Sequence, residues 1–256
     1  MSLLQVDGLC RRFGGVEAVR NVSFRLDAGE ILALIGPNGA GKSTCFNLLN
    51  GQLRPDRGRV WLGGRDITAL NPRERWALGM GRTFQITATF ASMSVRENVQ
   101  MVLLAAARQL NGIWKRASLC HEAEADALLE KVGMLAQAQR PCGLLAFGDV
   151  KRVELAMALA AGPKLLLMDE PTAGMAPDER AALMVLAASL ARERGIGVLF
   201  TEHSMDVVFT YAQRILVMAR GQLIADGDPA SVRENAQVQA IYFGTGATFR
   251  PQAAQP

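Results

Sequence analysis

The sequence predicts an α/β fold built on a mostly parallel sheet, and three observations carry that expectation. The apolar run Ile31–Ile35 leads into Gly36-Pro37-Asn38-Gly39-Ala40-Gly41-Lys42-Ser43-Thr44 and then into the helical pattern of 45–50, stopped at Gly51. Further apolar runs at 164–168 and 196–200 flank a helical stretch that opens at Pro177 and ends at Gly195. Between these halves, residues 92–162 change to helical patterning. A parallel-sheet core interrupted by a helical insertion is the simplest layout that fits all three.

The elements follow in order. Residues 4–63 read mostly as strands and tight turns, with mixed alternation over 16–26, a turn at Asp27-Ala28-Gly29 and a short strand between Gly58 and Gly63. Ser94-Val95-Arg96-Glu97 is a capping box, so a helix is expected over 95–110. A charged helix is expected over 121–132 and a third over 147–161, ended by Gly162-Pro163. The helix from Pro177 carries Asp178 and Glu179 in its first turn and an apolar face of Leu183, Leu186 and Leu190. Residues 214–219 and 222–225, joined by Arg220-Gly221, read as a hairpin. The expected organisation is one domain over 1–244, with a core of 1–86 and 150–244, a helical insertion over 87–149, and a Gln/Ala/Pro-rich tail over 245–256.

Composition narrows the function classes. Half of the 256 residues are hydrophobic, enough for a large core. The net charge of +4 comes without a long Lys/Arg block, so no nucleic-acid partner is expected. Cys10, Cys45, Cys120 and Cys142 have no C-x-x-C spacing and read as reduced, small apolar residues. No secretory signal is read at 1–8, and the densest apolar stretches, 101–107, 155–161 and 181–191, fall short of the ~18–20 residues a membrane helix needs. The chain is expected to be soluble by itself and to meet a membrane only through a partner.

The chemistry lies in two motifs. Residues 36–43 fit G-x-x-x-x-G-K-[ST] without mismatch, in the strand–loop–helix setting that makes the pattern a phosphate cradle. Glycines let backbone N–H groups converge on an anion, and the helix N-terminus adds partial positive charge. Lys42 is positioned to reach the β- and γ-phosphates of ATP, and the Ser43 hydroxyl to ligate Mg²⁺. The run 165–168 then ends in Asp169-Glu170, two carboxylates at the carboxyl edge of a sheet. Asp169 suits a hold on Mg²⁺, and Glu170 a general base for water attacking the γ-phosphate. His203 follows the next strand, where it could donate to the γ-phosphate; His121, in a charged helix, reads as solvated surface. Phe13, ahead of Gly14-Gly15, is either a core residue or a ring that stacks on adenine.

In order and spacing these motifs resemble the ATP-binding-cassette (ABC) ATPases from about residue 4 to 244. The resemblance implies a phosphate-loop ABC ATPase core with an antiparallel N-terminal β-subdomain and an inserted α-helical subdomain. It implies that Phe13 stacks on adenine, that Gln85 in Arg82-Thr83-Phe84-Gln85 senses the γ-phosphate and Mg²⁺, and that His203 is the switch histidine. It places the signature motif at Leu145-Ala146-Phe147-Gly148-Asp149, which would act on a partner's ATP. Within the family, residues 41–51, 64–68, 81–85 and 169–177 are similar to the ATP-binding subunits of branched-chain amino-acid importers and of their urea- and amide-importing relatives.

Two departures accompany the resemblance. Where the usual signature is Leu-Ser-Gly-Gly-Gln, Ala146 lacks the serine hydroxyl, Phe147 replaces a glycine and Asp149 replaces the glutamine. Loss of that hydroxyl removes a hydrogen bond worth about 1.5–3 kcal/mol to a charged acceptor. Lys151 and Arg152 are expected to offset the charge of Asp149. Ala176 stands where the family's Asp-loop usually runs Ala-Leu-Asp. The resemblance implies a peripheral ATPase on the cytoplasmic face of a bacterial inner membrane. Its implied partners are a second ABC subunit, a paralogue or a second copy, transmembrane permease subunits and, indirectly, a periplasmic solute-binding protein. A urea or amide importer, an exporter's ATPase and a soluble non-transport ABC ATPase remain as alternatives.

Overall fold

Three five-residue strands, β3 (Ile31–Ile35), β7 (Leu165–Asp169) and β8 (Gly197–Thr201), are buried at every position. Such continuous burial is what a parallel sheet covered on both faces requires. The computed structural model describes residues 2–83, 89–107 and 120–242. It places these strands in a six-stranded sheet of order β10-β9-β3-β8-β7-β6, with β6 spanning Met80–Thr83, β9 Arg214–Ala219 and β10 Gln222–Gly227. All neighbours pair in parallel except β9 and β10, which form the expected antiparallel hairpin.

Strand parity divides the core in two. Leu32, Leu34, Leu165, Leu167, Leu199 and Leu216 pack with the apolar residues of a second sheet. That sheet is four-stranded, in the order β2-β1-β4-β5, from β1 (Ser2–Phe13), β2 (Val16–Asp27), β4 (Arg57–Leu62) and β5 (Arg65–Asp66), and all its pairs are antiparallel. Ala33, Ile35, Leu166, Met168, Val198 and Phe200 face the other way, onto the helices.

Those helices include α3 (Val95–Ala106), α4 (Glu122–Lys131) and α5 (Phe147–Ala160), which pack on one another, and α6 (Pro177–Arg194). α3 opens on the predicted capping box: Glu97 N–H donates to Ser94 Oγ at 3.2 Å, and Ser94 N–H donates to Glu97 at 2.8 Å. α6 ends at Gly195, whose φ of 64° is the left-handed cap that glycine adopts without strain. The boundary drawn at 149/150 falls inside α5, which packs on α3, α4 and β6 alike. The tail lies outside the described residues.

α1 (Lys42–Leu49) carries the phosphate-loop lysine, and its far end is fixed by Arg75 on α2 (Pro72–Ala77). The Arg75 side chain is 1% exposed and donates to the carbonyls of Leu48 at 2.7 Å and Leu49 at 2.5 Å, acceptors in the last turn of α1. The sequence reading did not identify α2, although Asn71-Pro72-Arg73-Glu74 supplies an N-cap, a proline at the first helical position and a capping-box glutamate. It also omitted β6, α7 (Met205–Tyr211), α8 (Pro229–Glu234) and α9 (Ala236–Tyr242), which are short and weakly periodic.

Candidate active site

The loop between β3 and α1 has the shape its glycines predict. A Cβ at Gly36 would lie 2.3 Å from the Met218 carbonyl oxygen, and one at Gly41 would lie 2.2 Å from that of Ala18. Gly41 also has φ 103°, so neither space nor backbone admits another residue there. Lys42 is buried, and its Nζ donates to the carbonyls of Gly36 at 2.7 Å and Pro37 at 3.2 Å. The loop thus wraps its own ammonium. Burial lowers the Lys42 pKa, while the nearby Glu170 and Asp169 carboxylates pull it back up. Asn38, Gly39, Ala40, Gly41, Ser43 and Thr44 join Lys42, Glu170 and His203 around a cavity of about 470 Å³.

β8 separates β3 from β7, and the turns after β7 and β8 bring the carboxylates and His203 to the phosphate loop. Asp169 pairs in register with Thr201, whose hydroxyl donates to Asp169 Oδ1 at 2.7 Å. An Arg82 guanidinium nitrogen donates to Asp169 Oδ2 at 3.1 Å. Glu170 has φ 48°, a left-handed backbone rare outside glycine, and its N–H donates to the Thr201 hydroxyl at 3.0 Å. Its Oε1 lies 2.9 Å from His203 Nε2. Glu202 is buried beside them and accepts from the Thr172 N–H at 2.9 Å and hydroxyl at 2.5 Å, tying the two turns together.

Phe13 sits at the end of β1, paired with Val16, which lines the cavity. Its side chain is exposed, with the Arg11 guanidinium 5.0 Å from the ring centre, so Phe13 is not a core residue. Gln85 lies outside the described residues.

The segment 145–149 does not line its own chain's phosphate cavity. Leu145 is half-buried, and Ala146 is the N-cap of α5 with no side-chain bond to the helix. Phe147 is exposed; a Cβ at Gly174 would meet its ring at 3.4 Å, and the Lys151 ammonium lies 5.4 Å from the ring centre. Gly148 is buried so tightly that a Cβ would come within 2.8 Å of the Glu179 carboxyl. Asp149 stands in the first turn of α5, where the helix dipole favours its charge. The expectation that Lys151 and Arg152 offset Asp149 is corrected. Lys151 pairs with the buried Glu154 at 2.9 Å, and Arg152 reaches the Val132 carbonyl at 3.5 Å. Lys151 stands two positions from Asp149, a spacing that does not face on a helix, and three from Glu154, a spacing that does; Arg152, three positions from Asp149, is turned to Val132 instead. Ala176 is the N-cap of α6, and its N–H donates to Glu179 at 3.1 Å. His121 stands at the N-cap position of α4 with φ 57° and no side-chain bond to the helix end; its partly exposed ring lies 2.6 Å from the exposed Glu124 carboxylate, so it is a paired surface residue.

The oxygen donors fit Mg²⁺. The Ser43 hydroxyl and Asp169 carboxylate are hard ligands, and among the described residues no group of three or more His, Cys, Asp or Glu forms a cage of its own. A sparse set of this kind suits an ion that shares its coordination with phosphates and water.

Sequence reasoning missed Arg82, Thr201, Glu202 and Tyr242. Thr201 and Glu202 are adjacent to His203, so their position was the available signal. Arg82 carries none, because only strand pairing brings β6 beside β7. The Tyr242 hydroxyl is buried, which raises its pKa, and the Gly36 main chain beside it pulls the other way.

Comparison with known proteins identifies the family and the fold. The family profile described as "ABC transporter" matches residues 19–173, and that described as "Branched-chain amino acid ATP-binding cassette transporter" matches residues 222–248. The high-affinity branched-chain amino acid transport ATP-binding protein LivG of Salmonella typhimurium is 39% identical over 253 residues, covering 94% of this chain and 98% of that protein. The corresponding protein BraF of Pseudomonas aeruginosa is 36% identical over 253 residues, with 94% and 98% covered. Among solved structures, the ADP conformation of an ATP-binding cassette of an ABC transporter superposes with a TM-score of 0.85 at 32% identity, covering 95% of this chain and 99% of that one. A nucleotide-free cassette superposes with a TM-score of 0.83 at 31% identity, covering 95% and 100%.

Proposed function

Since this chain belongs to the ATP-binding-cassette transporter family, we propose that it is the ATP-hydrolysing subunit of an importer for branched-chain amino acids. The single observation that carries the substrate class is the pair of profile matches on one chain: the general cassette at 19–173 and the branched-chain segment at 222–248. The likeness to LivG and BraF over nearly their full length supports it.

In this reading the loop 36–44 holds the phosphates through backbone N–H groups, and Lys42 balances charge on the β- and γ-phosphates. Phe13 stacks on adenine beside the cavity wall formed by Val16. Ser43 and Asp169, with Gln85 as the family resemblance implies, are the residues that would hold Mg²⁺, which would supply charge neutralisation to the phosphates when bound. Glu170 accepts a proton from water as that water's oxygen bonds to the γ-phosphorus, while the bond to the ADP oxygen breaks. His203, 2.9 Å from Glu170, orients that carboxylate and donates toward the transferring phosphoryl group.

The segment 145–149, which does not line its own phosphate cavity, completes the site of a second cassette subunit. Ala146 and Ala176 favour a non-identical mate. Among the described residues no helix is long and apolar enough to cross a membrane. In this reading permease subunits attach the chain to the cytoplasmic face of the membrane, as the likeness to LivG and BraF supports. A mainly apolar groove of about 330 Å³ is lined by Trp76 of α2, Met80 of β6, Val102 of α3 and Met157 of α5, and is the surface that would receive them.

The test is uptake of labelled leucine, urea and an unrelated sugar by cells carrying either the wild-type chain or Glu170→Gln. Loss of leucine uptake alone is the expected result. Loss of urea uptake alone would reassign the solute to the urea and amide class. Loss of neither would overturn the importer reading.

A further inference from the structure

Arg82 links three parts of the site that are distant in sequence. One guanidinium nitrogen donates to Asn47 Oδ1 on α1 at 3.1 Å and to Gln52 Oε1 at 3.0 Å; the other donates to Asp169 Oδ2 at 3.1 Å. The Arg82 and Asp169 side chains are only 13% and 9% exposed, so solvent screens the pair weakly. The register of β6 on β7 pairs Arg82 with Leu167, two residues before Asp169, which sets the reach. The Thr201 hydroxyl holds the other carboxylate oxygen at 2.7 Å. Asp169 is thus fixed at both oxygens, by one neutral and one cationic donor.

Charge balance gives this arrangement a consequence. Lys42 and Arg82 face Asp169 and Glu170, two cations against two carboxylates. Without Arg82, the two carboxylates and the Ser43 hydroxyl would present a net negative oxygen site to any divalent cation. With Arg82 in place, attraction for a cation has to come from the phosphates of the nucleotide. The geometry points to Arg82 as a positioning residue that aims Asp169 and neutralises it, so that the site takes a divalent cation together with a nucleotide and not before it. This rests on the reading of Asp169 as a metal-holding residue.

The experiment is Mn²⁺ binding to the purified full chain, followed by electron paramagnetic resonance with and without ATP. Wild type and Arg82→Lys should bind Mn²⁺ weakly in the absence of nucleotide. Arg82→Met, which removes the charge and keeps the stem, should bind at least about tenfold more tightly, as expected when a full charge within a few ångströms is lost. Arg82→Gln, which keeps hydrogen-bond donors without the charge, should behave like Arg82→Met and serves if the methionine variant fails to fold. Adding Asp169→Asn to either neutral variant should abolish the gain. Equal nucleotide-free Mn²⁺ affinity in wild type and both neutral variants would overturn the inference, as would tightening in Arg82→Lys. Failure of the underlying reading would show separately, as unchanged Mn²⁺ affinity of the ATP complex in the single variant Asp169→Asn.

Discussion

Replacing Arg75 by methionine tests how the phosphate-loop helix is anchored. Its guanidinium donates to four carbonyls: Leu48 at 2.7 Å, Leu49 at 2.5 Å, Thr68 at 2.9 Å and Leu70 at 3.0 Å. Burial pushes its pKa down to about 10, with Asp66 pulling it back up, so it stays charged at neutral pH. Hydrogen bonds from a charged donor are worth about 1.5–3 kcal/mol each, roughly 6 kcal/mol at the low end for the set. The fall from 12.5 to about 10 represents a desolvation penalty of about 3 kcal/mol against them. Arg75→Met keeps the apolar stem but leaves these acceptors without their cation, so a loss of about 3 kcal/mol is expected. Urea denaturation monitors it. With a slope of about 3 kcal/mol per molar, the midpoint should fall by about 1 M. The folded fraction should also bind ATP more weakly, because α1 presents its N-terminus to the phosphates. A midpoint within about 0.2 M of wild type would refute the anchoring argument.

Other substitutions probe the nucleotide site itself. Lys42→Ala should abolish ATP binding or turnover, measured by filter binding and phosphate release, because the loop loses the ammonium it is built around. Phe13→Ala should weaken the affinity for a fluorescent ATP analogue by about 2–10-fold, while Phe13→Trp preserves it; equality of the alanine variant with wild type would remove the stacking role. Burial pushes the Cys45 thiol up to about 12 and raises that of Cys142 as well. Alkylation of the folded protein at pH 8 should therefore be confined to the half-buried Cys10 and Cys120, as mass mapping would show.

Much of the central scaffold was legible because its signals are local. Ile31–Ile35 needed only its apolar run and the glycines after it, and α6 was bracketed by Pro177 and Gly195. The carboxylates could be placed from sequence because a strand end and its following turn are contiguous. What escaped depends on pairing across the sheet. Arg82 reaches Asp169 only because β6 lies beside β7, and Arg75 meets α1 only through the packing of α2. Residue type misled in the case of Lys151. Proximity in sequence suggested Asp149, but helical spacing and shared burial gave it Glu154. Phe13 was ambiguous because an aromatic ring suits a core as well as a ligand, and only its exposure removes the first option.

The account stands most directly on the role of Glu170, measured by single-turnover hydrolysis of γ-labelled ATP alongside equilibrium ATP binding for wild type and Glu170→Gln. The substitution keeps the size of the side chain and a hydrogen-bonding group toward His203, but removes the base. It should leave ATP affinity within a few-fold of wild type and slow hydrolysis by on the order of 10²–10⁴. Hydrolysis at the wild-type rate, with binding intact, would contradict the account.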